Sequence, residues 1–176
     1  MECTLKVLKE RRGIKNYKPD FVKQEDIEKI VEAGTYAACG RGLQATQIVV
    51  INNNKELRDS LMKLNASFMP AGYSGDPFYG APTVAIVFAD STVGTWIEDG
   101  SLVMGNMMIA AHAIGVGSRW IHRAREMFAT EEGKALKKAW GVPDSYEGIG
   151  NCILGYAEGE LPAPPARKEN FVIYAK

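Results

Sequence analysis

Basic side chains gather at two places near opposite ends of this chain, Glu10-Arg11-Arg12-Gly13-Ile14-Lys15-Asn16-Tyr17 and Pro164-Pro165-Ala166-Arg167-Lys168. A guanidinium offers a planar fork of donors that matches phosphate oxygens, and it stays charged at any working pH. Two such clusters suggest one anionic ligand gripped from both ends of the polypeptide; the competing reading is a pair of solvated basic turns. The usual catalytic patterns are missing. There is no GxSxG, no Walker A motif and no GxGxxG set between a strand and a helix. Gly115-Val116-Gly117 follows a helical stretch instead of opening one. With no nucleophile–base pair in view, chemistry carried by a bound cofactor is the better expectation for an enzyme.

Cys3, Cys39 and Cys152 are scattered, odd in number and without CxxC spacing, so they read as small apolar residues. The two histidines, His112 and His122, stand in no HExxH-like pattern, and no metal site is expected. Lys plus Arg and Asp plus Glu number 21 each, and the resulting net charge of zero argues against a general nucleic-acid binder. At 176 residues the expectation is one domain, 1–176, with a sizeable core. Met1-Glu2-Cys3-Thr4-Leu5-Lys6 lacks the basic start and apolar run of a signal peptide. The longest apolar segment, Met104 to Val116, is too short and too interrupted by Asn and His to cross a bilayer. A cytoplasmic protein with no membrane partner is expected.

The elements that must position the basic clusters are readable from spacing. Residues 1–10 suggest a short helix with Leu5 and Leu8 on one face. From Gln24 to about Ala38, Ile27, Ile30, Val31, Gly34, Ala37 and Ala38 follow helical spacing behind an acidic first turn, and Gly40 and Gly42 break it. Thr46–Ile51 predicts a central strand, and Asn54 a cap for a helix carrying Leu57, Leu61 and Leu64. Phe68 to Pro82 is a loop longer than a plain connection requires, which marks it as functional or mobile. Thr83–Ala89 predicts the next strand. Trp96 to Ile114 predicts a helix apolar nearly all round, which implies burial on most sides and hints at a second copy of the chain. Val116–Ile121 reads as a strand, Thr130 as the cap of a helix running to Trp140, and Cys152–Tyr156 and Phe171–Tyr174 as the last two strands. Helices and strands alternate, so the class is α/β or α+β with a covered sheet. The prolines from Leu161 to Pro165 stiffen a strap that would allow Phe171–Tyr174 to be donated to a partner.

These motifs, in this order, resemble the FMN-dependent nitroreductases over nearly the whole chain. Residues 10–17 are similar to the RRSIRxF motif that opens the family. Cys39-Gly40-Arg41-Gly42-Leu43-Gln44 resembles its SGxNxQ loop, and Phe78-Tyr79-Gly80-Ala81-Pro82 its entry to the next strand. Asp99-Gly100 with Asn106 through Ile121 resembles the helix-plus-GxGS block. Gly148 to Gly155 followed by Pro165-Ala166-Arg167-Lys168 resembles the C-terminal signature. The resemblance implies an α+β fold with a central mixed β-sheet flanked by helices. It also implies an obligate homodimer whose C-terminal segment reaches the partner, with FMN at the interface. Electrons would come from NADH or NADPH and pass by a ping-pong mechanism to a nitroaromatic, a quinone or a flavin.

By the same resemblance Arg11, Arg12 and Gly13 would contact the FMN phosphate and ribityl chain. Lys15 would stand near the isoalloxazine ring, where a positive charge favours the reduced, anionic flavin. Gln44 would bond the ribityl chain or ring edge, and Asn65 matches a flavin-contacting asparagine. Backbone groups near Ile121 and His122 would face the ring, with Arg167 and Lys168 completing the phosphate grip. No side chain is expected to be catalytic in its own right, since flavin N5 would carry the hydride.

Three departures stand out: Gly13 replaces the family's Ser, Cys39 and Gly42 replace Ser and Asn, and Ala45-Thr46 replaces Pro-Trp. They motivate an alternative, a flavin-binding storage or sensing protein without efficient turnover. Other residues carry two readings each. His122 would bond flavin or substrate, or be structural. Arg119 and Arg123 would attract a nucleotide phosphate or form a solvated face. Tyr73, Phe78 and Tyr79 would stack on an aromatic substrate or pack in the core.

Overall fold

In the computed structural model, which describes residues 2–175, six helices and four strands follow in the order α1 (Glu2–Glu10), α2 (Gln24–Thr35), β1 (Thr46–Ile51), α3 (Lys55–Ala66), β2 (Thr83–Asp90), α4 (Trp96–Ala113), β3 (Gly117–Ile121), α5 (Ala124–Ala129), α6 (Glu131–Ala139) and β4 (Tyr146–Gly155). The sheet order is β1-β2-β4-β3. β2 lies in the interior of the sheet, and side chains on alternate residues enter opposite layers, as strand geometry dictates. Val84, Ile86 and Phe88 join Ile51, Leu61, Ile153 and Phe128 on the face covered by α3, α5 and α6. Ala85, Val87 and Ala89 join Ile30, Met104, Met107 and Leu154 on the face covered by α2 and α4. The result is a three-layer α+β sandwich with a core on each side of the sheet.

Local chemistry sets the helix starts. Asn54 Oδ1 accepts from the Leu57 amide at 3.0 Å to open α3, and Thr130 Oγ1 accepts from the Gly133 amide at 3.0 Å to open α6. Each satisfies an amide that the first helical turn leaves without a carbonyl.

The structure corrects four expectations. Thr46–Ile51, expected to be a central strand, lies at the edge of the sheet. Every pairing between the four strands is antiparallel, so the sheet is not mixed, and the parallel contact among the described residues is an isolated bridge between Gly13 and Ser118. Phe171–Tyr174 forms no strand within the chain. Phe171 is 79% and Tyr174 86% exposed, because the proline strap carries the segment away from every sheet edge of its own subunit. β4 begins at Tyr146 instead of Cys152. Two of its first five residues, Gly148 and Gly150, are glycines because nothing larger fits: a Cβ at Gly148 would lie 2.6 Å from the Ala124 carbonyl carbon and oxygen, and one at Gly150 would lie 2.7 Å from the Trp120 ring.

α4 is buried along Asp99, Gly100, Val103, Met104, Met107 and Ala111, while Ile97 and Leu102 remain nearly half exposed on its other face. Leu5 and Leu8 of α1 are also exposed. No helix among the described residues is long and apolar enough to cross a membrane.

Candidate functional site

Backbone pairing brings the N-terminal basic motif to the sheet. The Ile14 amide donates to the Ser118 carbonyl at 3.1 Å, Lys18 N–H to Tyr156 O at 2.9 Å, and Glu158 N–H to Asn16 O at 3.0 Å. Residues 13–18 are thereby stitched to β3 and to the chain leaving β4, where the proline strap begins. Arg11, Arg12, Gly13 and Arg167 consequently line one cleft of about 790 Å³, with Leu8, Lys9, Pro164 and Pro165. A neighbouring cleft of about 470 Å³ shares Arg12, Gly13 and Pro165 and adds Lys15 and Arg119.

The basic residues are not equivalent. Arg12 spends its donors on carbonyls: Nη1 donates to Lys9 O at 2.7 Å and Arg11 O at 2.8 Å, and Nε to Pro162 O at 3.2 Å. It closes the C-terminal end of α1, where a cation suits the helix dipole, and ties α1 to the strap. Arg167 is held by the Pro165 carbonyl through Nη2 at 2.7 Å and Nε at 3.3 Å. Lys15 and Arg119 approach the ring of Tyr79, at 5.8 and 5.2 Å from its centroid. Lys168 is exposed on the strap and lines neither cleft.

A second constellation surrounds the end of β3. Asn65, fully buried in α3, donates from Nδ2 to the His122 carbonyl at 2.8 Å, and Asn151 of β4 donates to the carbonyls of Ile121 at 3.3 Å and His122 at 3.4 Å. The Oδ1 atoms of both asparagines are buried without a hydrogen-bond partner. Two amides thus fix the corner at which Arg123 turns into the left-handed region, φ 75°. Asn65 sits beneath that corner and lines neither basic cleft. Ile121 is buried, and the exposed His122 opens onto a pocket of about 200 Å³ with Ser101, Trp120 and Arg123.

Gln44 stands apart. It lines a pocket of about 330 Å³ with Val31, Thr46, Ile48 and Val103 beside β1, apart from the cleft that Arg11 lines. Its loop is anchored by Asp99, 3% exposed, whose Oδ1 accepts from the Gly40 amide at 2.9 Å and whose Oδ2 accepts from Thr95 Oγ1 at 3.0 Å.

Sequence reasoning assigned no role to Arg58, Asp76 or Asp99. Arg58 bonds the Ala81 carbonyl and Asp76, and Asp76 accepts from the Phe78 and Gly80 amides at 2.6 and 2.8 Å. That clasp shapes the turn presenting Tyr79, itself at φ 54°. An Asp two residues before an aromatic run is a turn signal that was available; its arginine partner was not.

The model of the Nitroreductase family matches residues 8–156. The chain belongs to the nitroreductase family. A protein of Archaeoglobus fulgidus, named provisionally as an NADH dehydrogenase/NAD(P)H nitroreductase, is 29% identical over 166 residues, covering 91% of this chain and 88% of its own. The crystal structure of an FMN-bound nitroreductase from Desulfitobacterium hafniense superposes with a TM-score of 0.88 at 25% identity over the full length of both chains. An FMN-bound nitroreductase from Bacteroides fragilis gives the same TM-score at 23% identity over 98% of each chain, a likeness of fold. The basic clefts and the Asn65–His122 corner are therefore carried on a nitroreductase scaffold.

Proposed function

We propose that this protein is an FMN-dependent oxidoreductase that takes electrons from NADH or NADPH and passes them to a nitroaromatic, quinone or flavin acceptor in alternating half-reactions. The observation that carries this reading is the meeting of Arg11 and Arg167 in one cleft of a nitroreductase-family chain. Their donor set fits a phosphate. Neither guanidinium forms an ion pair among the described residues, so both are electrostatically available to an anion. The names of the FMN-bound structural neighbours agree with that fit.

Bound flavin supplies a centre at N5 that accepts and releases hydride, chemistry that no side chain of this protein offers. The chain's own residues bind, orient and polarise. Arg11 and Arg167 would take the phosphate, with Lys168 adding positive potential from the strap. Arg12 would act mainly by locking α1 to the strap, since its Nε and Nη1 donors already bond carbonyls. Lys15 would hold positive charge beside the ring, and the Gly13 backbone would contact the ligand. Asn65 would act through the Ile121–His122 corner, whose carbonyl it restrains.

A homodimer accounts for what the single chain leaves open. Gln44 faces a pocket of its own subunit away from Arg11, so it would reach the flavin held by the partner. β1 is an outer strand of the sheet, and Phe171–Tyr174 is exposed beyond the strap. The segment from one copy covering the other would bury both, together with the exposed apolar face of α4.

The deciding experiment is an absorption spectrum of the purified protein, followed by anaerobic addition of NADH and NADPH, with sedimentation to give the oligomer. Flavin bands bleached by either nucleotide in a dimer are expected. A colourless protein that stays so after FMN is added refutes the proposal, and a bound flavin that neither nucleotide bleaches assigns the chain to storage or sensing.

A further inference from the structure

Arg119 is a cation that lies outside both basic clusters of the sequence. It lies on β3, half-buried, with its guanidinium over Tyr79 and Nη1 donating to the Gly13 carbonyl at a long 3.4 Å. Among the described residues that is its one hydrogen bond, and it forms no ion pair. A guanidinium carries five N–H donors, so most of its capacity is unspent in a partly desolvated place. The cleft it lines carries Arg12 and Lys15 as further cations and Glu158 and Glu160 as anions, and neither glutamate closes onto it.

Gly13 leaves room for this pose. A Cβ there would stand 3.0 Å from Arg119 Nη1 and 3.7 Å from its Cγ. A serine at position 13 would press on the guanidinium and shift it by a few tenths of an ångström. The chain therefore carries an arginine where its family resemblance puts a hydroxyl that contacts the cofactor. Tyr79 braces the arginine from the other side, and the Asp76–Arg58 clasp braces Tyr79.

We infer that Arg119 is a flavin-binding residue that replaces the hydroxyl missing at Gly13, donating to the ribityl and ring portion of the cofactor and leaving the phosphate to Arg11 and Arg167. This inference rests on the FMN reading above. Removing a charged donor of this kind weakens binding by about 10- to 100-fold.

The test is a fluorescence titration of apoprotein with FMN and, separately, with riboflavin, which lacks the phosphate. R119Q is expected to lose affinity for both ligands by the same factor, whereas R167Q loses affinity for FMN alone. Gly13→Ser is expected to weaken binding in the wild-type background by pressing on the guanidinium, and to strengthen it in the R119Q background, where the hydroxyl has room. Thermal melts of the apoproteins report folding; if R119Q does not fold, R119K keeps the charge and stem without the fork, and the same ratios are read from it. The inference is overturned if R119Q binds both ligands within twofold of wild type, if it loses FMN affinity only, or if the serine acts alike in both backgrounds. Wild type that binds neither ligand sinks the FMN reading and this inference with it; wild type that binds both beside an unaffected R119Q sinks the inference alone.

Discussion

Replacing Arg58 with Met tests whether one buried cation organises the loop that carries Tyr79. The guanidinium donates from Nε to the Ala81 carbonyl at 2.9 Å, from Nη1 to Asp59 at 3.0 Å and from Nη2 to Asp76 at 2.5 Å, with its own side chain 8% exposed. Methionine keeps the stem against Phe78 and removes the charge. Leaving the Ala81 carbonyl unpaired costs about 1–2 kcal/mol. A fully buried ion pair broken from one side costs about 3–5 kcal/mol. Asp76 is 29% exposed and regains some hydration, so about 1–2 kcal/mol is the reasonable share. Asp59 keeps its contact with Lys55 and contributes little. The sum is about 2–4 kcal/mol, which for a chain of this size lowers the melting temperature by roughly 5–15 °C. Asp76→Asn should cost about half as much, and the double variant should fall short of additivity by about 1 kcal/mol because the two residues share one interaction. Calorimetry reads all three, and limited proteolysis should cut residues 68–80 faster in each. A melting temperature of R58M within 2 °C of wild type, or strict additivity, would refute the clasp (about 0.5 kcal/mol is the resolution of such a cycle).

Four further outcomes follow from local geometry. Thiol titration at pH 8 should label exposed Cys3 quickly and half-buried Cys39 slowly; Cys152, whose thiol burial pushes up to about 12, should react only on unfolding. The Asp59, Asp90 and Glu131 carboxyls are held below their usual values chiefly by bonds from Lys55, the Thr92 amide and Lys134, respectively. Their folded values lie under the unfolded ones, so their support is complete above about pH 5 and lost as pH falls through the depressed values, and urea midpoints should drop below about pH 5. Gly40→Ala puts a Cβ 2.3 Å from Thr95 Oγ1 and should destabilise by about 1–2 kcal/mol in chemical denaturation, with Thr95→Ala restoring part of the loss in the double variant. Deleting residues 161–176 should leave the melting of the chain's own core in place, since none of residues 161–175 is buried, while sedimentation shows a monomer and FMN affinity collapses.

Much of the fold was legible because single residues announce it. Thr46–Ile51 was read with its final boundaries from β-branched composition, and Asn54 and Thr130 were read as caps from their chemistry alone. α5 was missed since six residues, Ala124–Ala129, are too few to show helical periodicity. The start of β4 was hidden by Gly148 and Gly150, which look like strand breakers until the Ala124 backbone and the Trp120 ring are seen occupying the space of their side chains. Phe171–Tyr174 has strand composition, but a strand needs an edge to pair with, and the described chain brings none to it.

The candidate site divides along the same line. Arg11, Arg12 and Arg167 were visible as clusters, and their meeting follows from residues 13–18 pairing with β3 and with the exit of β4. That pairing also explains why Arg119 carried two readings, a cation drawing a nucleotide phosphate or part of a solvated face. Within β3 it looks like one more polar residue on an outer strand; it becomes a half-buried cation only when Gly13, 106 positions earlier, is laid against it without a side chain. Reading Gly13 as a lost hydroxyl counted what the residue lacks. In the folded chain the guanidinium of Arg119 lies against the missing Cβ, so a departure from the family pattern at one position has to be judged together with whatever the fold packs beside it.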